Sequence, residues 1–321
     1  MNTAPTSPMP PLHAQVRWRV LALLFLVTII NFVDRQTLSN LANDITKEFS
    51  LSNTAFSTIP AAFRFGMMIG EFPMGWLMDR VGVRIGLAFA VLWWSFGNGL
   101  HAIAGSVRHF QFFRIWLGTG ECGNYSGGNK IIATWFPVRE RAFAIGVFNS
   151  ASMLGSFIAA WLIIPIRDMY GWRMGFIVPS LLGLFWVALW WYSYRDPRDH
   201  PQLSAAEAAH IVSDVVENTD APPPTNAQLL RLPQTWGLIL CRFFVGAVVD
   251  FYLIWMPKYF HDVRGLSVQS SAYFSSFTFI FGDIGSIGGG LVAAWLLQRG
   301  MGVKTTRRTT LLFGAILCLA S

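Results

Sequence analysis

The sequence predicts an all-α membrane protein, and three observations carry that prediction. Of its 321 residues, 53% are hydrophobic and only 13% are charged, against about 25% charged in an average soluble domain. Successive windows of about 20 residues lack a polar face and end at Arg, Pro, Gly or Asn, the pattern of a chain that crosses a bilayer core and turns back. The net charge of +7 is uneven, with Lys and Arg concentrated in connections that share a side with the N-terminus. That bias puts the N-terminus in the cytoplasm and removes nucleic-acid binding as the meaning of the basic balance.

Residues 1–16 are polar and Pro-rich and read as a cytoplasmic tail. No small-residue cleavage site follows the first apolar run, so the first helix, about 18–38, is expected to be a retained anchor. It carries Asn31 and the adjacent Asp34 and Arg35. Such a pair either snorkels from a helix end to the surface or faces a polar interior. The second helix, about 54–77, places Arg64 and Glu71 on one face, two turns or about 10 Å apart. An internal ion pair and a substrate role both fit them. GWLMDRVGVR then reads as a tight, charged turn into a third helix at 83–103.

The fourth helix, 110–135, contains Arg114, Glu121 and Lys130. An ionised side chain near the bilayer midplane costs ~2.5–3.5 kcal/mol, so Glu121 is expected to face a protein interior or a wet cavity. Arg114 lies two turns before it on roughly the same face, with Gly118 between. The competing reading is a permanent ionic lock between helices. Gly118, Gly120 and Gly123 spell GxGxxG, but without the strand and helix that a dinucleotide site requires they signify close packing. The sequon at Asn124 sits at membrane depth and is unusable.

WFPVRER, 135–141, reads as a short connection broken at Pro137. A fifth helix at 142–164 is rich in small residues, among them Gly146, Ser152, Gly155 and Ser156, and a sixth follows at 172–194. Residues 195–233 form a polar linker in which Ser204 and Glu207 make a capping box for a short amphipathic helix on the cytoplasmic face. Helix seven, 234–259, carries Arg242 and Asp250, and helix eight, 269–298, carries Asp283. Each of these aspartates fits either a second-half coupling or gating role or a helix–helix hydrogen bond. LLFGAILCLA at the end is too short to span. The expected architecture is therefore a complete N-terminal six-helix bundle at 17–194, the linker, and a truncated C-terminal bundle at 234–321 holding helices 7, 8 and part of 9. Cys122, Cys241 and Cys318 have no metal-ligand spacing and read as small hydrophobes, so no metal site is expected. His101 and His109 are expected at the outer interface.

The motif Gly75, Asp79, Arg80, Gly82 and Arg84 between helices two and three resembles the signature loop of major facilitator transporters. A weaker echo, GLVAAWLLQRG, recurs six helices later with Ala294 and Trp295 in place of Asp and Arg. NFVDRQTLS, RIWLGTGECGNYSGGNK, WFPVRER and FYLIWMPKYFHDVRGLS are similar to the anion:cation symporter family, the bacterial hexuronate and sugar-acid carriers within it above all. Two departures are Asp250, where an aromatic residue is usual, and Arg64, where a small one is. The resemblance implies a major facilitator fold in the bacterial cytoplasmic (inner) membrane and no enzymatic activity. It implies alternating-access symport of a proton with a small organic anion such as a hexuronate. The proton is the coupling ion, no cofactor is needed, and the carrier is a monomer. Asp34 and Glu121 match proton-handling carboxylates, Arg35 the arginine that meets the substrate, and Arg114 the one that tunes Glu121. Asn31, Asn124 and Ser152 complete the implied substrate contacts. Two alternatives stay open: a truncated, non-transporting membrane fragment, and a carrier of aromatic or dicarboxylic acids.

Overall fold

The computed structural model describes residues 15–213, 226–302 and 305–314 apart from 307 and 311. The elements in chain order are α1 (Val16–Asn40), α2 (Ala42–Glu48), α3 (Asn53–Val81), α4 (Val83–Leu100), α5 (Val107–Trp135), α6 (Val138–Tyr170), α7 (Met174–Ser193), α8 (Ala205–Val212), α9 (Asn226–Leu230), α10 (Pro233–Asp262) and α11 (Val268–Gln298). Among the described residues four stretches, Val16–Asn40, Val83–Ile103, Glu140–Tyr170 and Met174–Ser193, are long and apolar enough to cross a membrane. At 29 residues each, α3 and α5 have the same reach but hold charges inside.

The first seven helices pack backbone to backbone, as helices must where lipid supplies no hydrophobic drive to associate. A Cβ on Gly66 of α3 would collide with the Ile115 carbonyl of α5, and one on Gly118 of α5 with the Phe63 carbonyl of α3. In the same way Gly155 brings α6 onto Ile29 of α1, where an added Cβ would lie 2.7 Å from a carbonyl oxygen. Gly118 and Gly123 of the GxGxxG lettering thus serve close packing; Gly123 faces Ala90 of α4. Trp94, Trp135, Trp186 and Trp190 are wholly buried. Trp186 Nε1 donates to the Leu23 carbonyl at 2.9 Å and Trp190 Nε1 to that of Arg84 at 3.0 Å, so α7 is pinned to both α1 and α4.

Several sequence expectations need correction. GWLMDR is not a turn: α3 runs to Val81, and Gly82, with φ of 79°, makes the whole reversal because a side chain there would be strained. VRER is not connection but the first turn of α6, since Pro137 serves as its N-cap rather than a breaker inside it. His101 is not interfacial. It is fully buried, stacked on Phe176 with ring centroids 5.0 Å apart, and its Nδ1 lies 2.9 Å from the Gly97 carbonyl. His109 is exposed, as expected.

The linker helix α8 forms where the capping box predicts, with Ser204 Oγ accepting the Glu207 N–H at 3.1 Å. The Glu207 carboxylate does not complete the box. It accepts the N–H groups of Val16 and Arg17 at 3.1 and 3.0 Å, capping the otherwise unpaired start of α1. Arg17 lies 3.4 Å from Glu140 of α6, whose other oxygen meets His210 of α8 at 2.7 Å. Prolines 222–224 lie outside the described residues.

The helices after the linker touch the first seven toward the end where α1 terminates. Trp161 of α6 stacks on Tyr273 of α11 at 4.3 Å, and Phe157 meets Phe277 at 5.7 Å. Ser39 donates to the Ile254 carbonyl of α10 at 3.0 Å, and Phe56 meets Trp255 at 5.9 Å. Toward the opposite end α10 and α11 expose Trp236, Phe243, Phe244, Ile284 and Trp295. The side chains of Arg242, Asp250 and Asp283, and residues 315–321, which include Cys318, lie outside the described residues.

Candidate functional site

Polar groups are expensive inside such a bundle, and those present gather between α1, α3, α4 and α5. Asp34 and Arg35 sit on adjacent faces of α1 and do not snorkel. Asp34 is fully buried, and the Arg35 side chain is only 12% exposed. Arg35 reaches across to α5, donating through Nε at 2.9 Å and Nη2 at 2.6 Å to the same oxygen, Oε2, of the fully buried Glu121. Its guanidinium lies over the Phe32 and Phe63 rings, 4.5 and 5.1 Å from their centroids. The second Glu121 oxygen, Oε1, has no hydrogen-bond partner.

Asp34 points the other way. Its Oδ1 accepts from Asn98 Nδ2 of α4 at 2.7 Å, and the same amide donates to the Phe176 carbonyl of α7 at 3.2 Å. Asp34 Oδ2 is buried and unpartnered. Asn98 is a site residue that sequence reasoning missed. An amide inside an apolar helix, on the level of a carboxylate, was the only available signal.

Arg114 is 2% exposed and lies within electrostatic range of Glu121, Asp34 and Arg35, yet its Nε and Nη2 have no acceptor. Arg114 therefore acts on Glu121 at a distance while Arg35 of α1 makes the direct pair, because two turns on α5 leave Arg114 beside Phe63 and the cavity. Arg64, which also acts on Glu121 electrostatically, completes a set of three guanidiniums around two carboxylates. Its sequence partner Glu71 instead faces Cys122 from an exposed position on α3. Among the described residues these five groups carry one more positive than negative charge when both carboxylates are ionised.

Arg35, Arg64 and Arg114 converge on a cavity of about 30 Å3, closed partly by Pro60, Phe63 and Ile254. It has room for a water or two and is too small for a six-carbon acid. The remaining predicted contacts lie away from it. Asn124 donates to Thr28 Oγ1 at 3.1 Å and ties α5 to α1, and Ser152 turns its hydroxyl onto the Asn149 carbonyl at 2.6 Å. Neither lines the cavity. Asn31 is fully buried, and both atoms of its amide lack partners.

The signature motif stands at the other end of α3. Asp79 pairs with Lys130 of α5. Arg84 donates to the Trp191 carbonyl at 2.8 Å, fixing the start of α4 to the end of α7. Lys130 is therefore a partner of the motif and lies apart from the cavity. Among the described residues no group of three or more His, Cys, Asp or Glu could hold a metal.

Residues 24–321 match the family model described as Major Facilitator Superfamily. The chain is 29% identical to the probable galactarate/D-glucarate transporter GudP of Bacillus subtilis, over 94% of this chain and 70% of that protein. It is 31% identical to the hexuronate transporter of Escherichia coli K12, over 95% and 71% respectively. Among solved structures, a bacterial homologue of the human lysosomal transporter Spinster, inward-facing and unoccupied, aligns with a TM-score of 0.73 at 22% identity, covering 88% of this chain and 64% of that one. The D-xylose–proton symporter aligns with a TM-score of 0.62 at 16% identity, over 86% and 68%. The chain thus spans about seven tenths of the two curated relatives and under two thirds of the Spinster homologue.

Proposed function

The chain belongs to the major facilitator superfamily, and we propose that it is a secondary transporter that moves a sugar acid together with a proton by alternating access. It does so as a monomer in the bacterial cytoplasmic membrane, with a cytoplasmic N-terminus and no cofactor. The observation that carries this reading is the sharing of Arg35. Glu121 occupies the guanidinium that a substrate carboxylate would need. An arriving anion and Glu121 compete for it. Once the anion holds Arg35, the buried Glu121 has lost its nearest counter-charge and is stabilised by taking up a proton. Proton and anion loading then favour each other. Asp34, held by Asn98, acts as the second titrating group, and protonation there would raise the site's positive charge further.

The cation pair also bears on substrate class. Arg114 keeps Nε and Nη2 without acceptors beside the cavity, a second carboxylate seat across from Arg35. This favours a sugar diacid, as in the relative named for galactarate and D-glucarate, over a hexuronate with its single carboxylate. In either case the cavity must widen to admit substrate. The contacts of α10 and α11 at the end where α1 terminates, which is the outer end, support a path that opens from the cytoplasmic side. The test is uptake into proteoliposomes carrying an acid-outside gradient, with labelled galactarate, glucarate, glucuronate and an aromatic acid in parallel. Gradient-dependent accumulation of a sugar acid is expected. Uptake of none of them, or uptake indifferent to the gradient, contradicts the reading.

A further inference from the structure

A second recess lies outside the central polar site, at the end of the bundle where α1 begins and α7 ends. Its volume is about 600 Å3. Arg19 from α1, Arg195 from just beyond α7 and His200 from the linker line it, and no carboxylate is among its described lining residues. The fields of both arginines fall on His200, whose pKa is lowered chiefly by burial, with a backbone hydrogen bond at Ser193 opposing and the two charges adding to the fall. Glu207, an acid that acts on His200, spends its carboxylate on the N–H groups of Val16 and Arg17. Arg19 is held toward the recess by Gln202 Oε1 at 2.8 Å, and Arg195 is braced by the Trp191 and Tyr194 carbonyls at 2.9 and 2.8 Å.

The other wall is apolar and runs along the membrane-spanning part of α1 through Val20, Leu23 and Leu26. Leu26 is 38% exposed. Across from it Tyr192 stands 86% exposed beside the half-exposed Trp191, aromatic residues of the kind that mark the headgroup level of a bilayer. A basic mouth at headgroup depth, continuous with an apolar groove toward the membrane interior, has the amphiphilic layout of one class of ligand. We propose that this recess seats an anionic phospholipid, its phosphate between Arg19 and Arg195 and an acyl chain along Leu23 and Leu26. The inference depends on the membrane-spanning character of α1 and α7 and is independent of what the central site transports. Because the seat joins α1, α7 and the linker, an occupied seat fastens the linker to the first bundle.

Native mass spectrometry of the 321-residue chain released from detergent tests this, with titration of phosphatidylglycerol, phosphatidylcholine and inorganic phosphate. Each arginine at a headgroup is expected to contribute about fivefold in affinity, so phosphatidylglycerol should bind at least about tenfold more tightly than phosphatidylcholine. Arg19→Gln together with Arg195→Gln should bring the two lipids level, and Arg195→Lys should keep most of the preference. Thermal melting in phosphatidylcholine reports whether each variant is folded. If the double variant is not, the single Arg195→Gln, which releases carbonyls only at its own helix end, carries the test with about a fivefold loss. Equal affinity for the two lipids in the wild type, or a preference that survives arginine removal, overturns the proposal. Inorganic phosphate binding as tightly as phosphatidylglycerol would assign the seat to a soluble anion and overturn it as well.

Discussion

The helices before the linker and those after it use different means to hold together. From α1 to α7, contacts are made by glycines that bring backbones into touch, by buried indole donors, and by the Arg35–Glu121 pair. Between this bundle and α10–α11 the contacts of the described residues include ring stacks, a small cluster of Ala160, Ile164 and Ala272, and a hydrogen bond from Ser39, set toward one end. Glycine contacts against backbone permit one arrangement, because any sliding makes atoms collide. Stacked rings tolerate parting and meeting again. In a carrier that alternates, the first kind of contact suits the body that holds the site and the second suits the surface that opens. The polar site described here belongs almost wholly to the tight part, with Ile254 of α10 as a lid over its cavity.

The comparison breaks most easily at the ion pair. Arg35→Ala strands a fully buried Glu121, and removing one member of such a pair costs about 3–5 kcal/mol. Substrate binding should vanish, and the melting temperature should fall unless Glu121 is neutralised too. Adding Glu121→Gln to Arg35→Ala should therefore recover stability without recovering binding, as read by thermal melting with and without sugar acid.

A glycine pair sharpens it next. Gly118→Val drives a side chain into the Phe63 carbonyl, and overpacking of this kind costs about 1–3 kcal/mol or more. Gly285→Ala in α11 meets nothing within 4 Å and should be neutral, or stabilising by up to about 1 kcal/mol through helix propensity. Equal effects of the two in a melting assay would erase the distinction between the two kinds of packing.

The stacked surface should respond more weakly. Trp161→Ala removes the ring against Tyr273, worth about 0.5–1.5 kcal/mol beyond its area. Thiol labelling of a cysteine placed at Phe277 should speed up, while the first bundle melts unchanged. The smallest effect concerns Glu48, the last residue of α2, whose carboxyl is held below the ordinary glutamate range chiefly by its hydrogen bond from Arg173. A depressed folded-state value stabilises above the unfolded pKa of about 4.3 and is lost as pH falls through the folded one. Glu48→Gln should therefore flatten a slight acid-side loss of stability while leaving neutral stability nearly unchanged, since the group is largely solvated.

Much of this was legible in the sequence, for identifiable reasons. Apolar windows and their breakers placed the long helices, because a membrane span has a fixed minimum length. Charges at membrane depth picked out Asp34, Arg35, Arg114 and Glu121, because nothing but a polar interior tolerates them there. What period and spacing do not contain is the rotation of one helix against another. That is why the pairing of Arg35 with Glu121 could not be read in advance, and why Asn124 and Ser152 were expected at a cavity they do not line. The same limit hid Glu207. Its local pattern announces a capping box, and its carboxylate caps a helix 190 residues away.

The central claim, that Arg35 is shared between Glu121 and the transported anion, is tested most directly by Glu121→Gln in proteoliposomes. A glutamine keeps the shape and leaves Arg35 available, but it cannot carry a proton. Exchange of labelled for unlabelled sugar acid should persist, while accumulation driven by an acid-outside gradient should disappear. Accumulation equal to the wild type in a pH-jump assay would contradict the account.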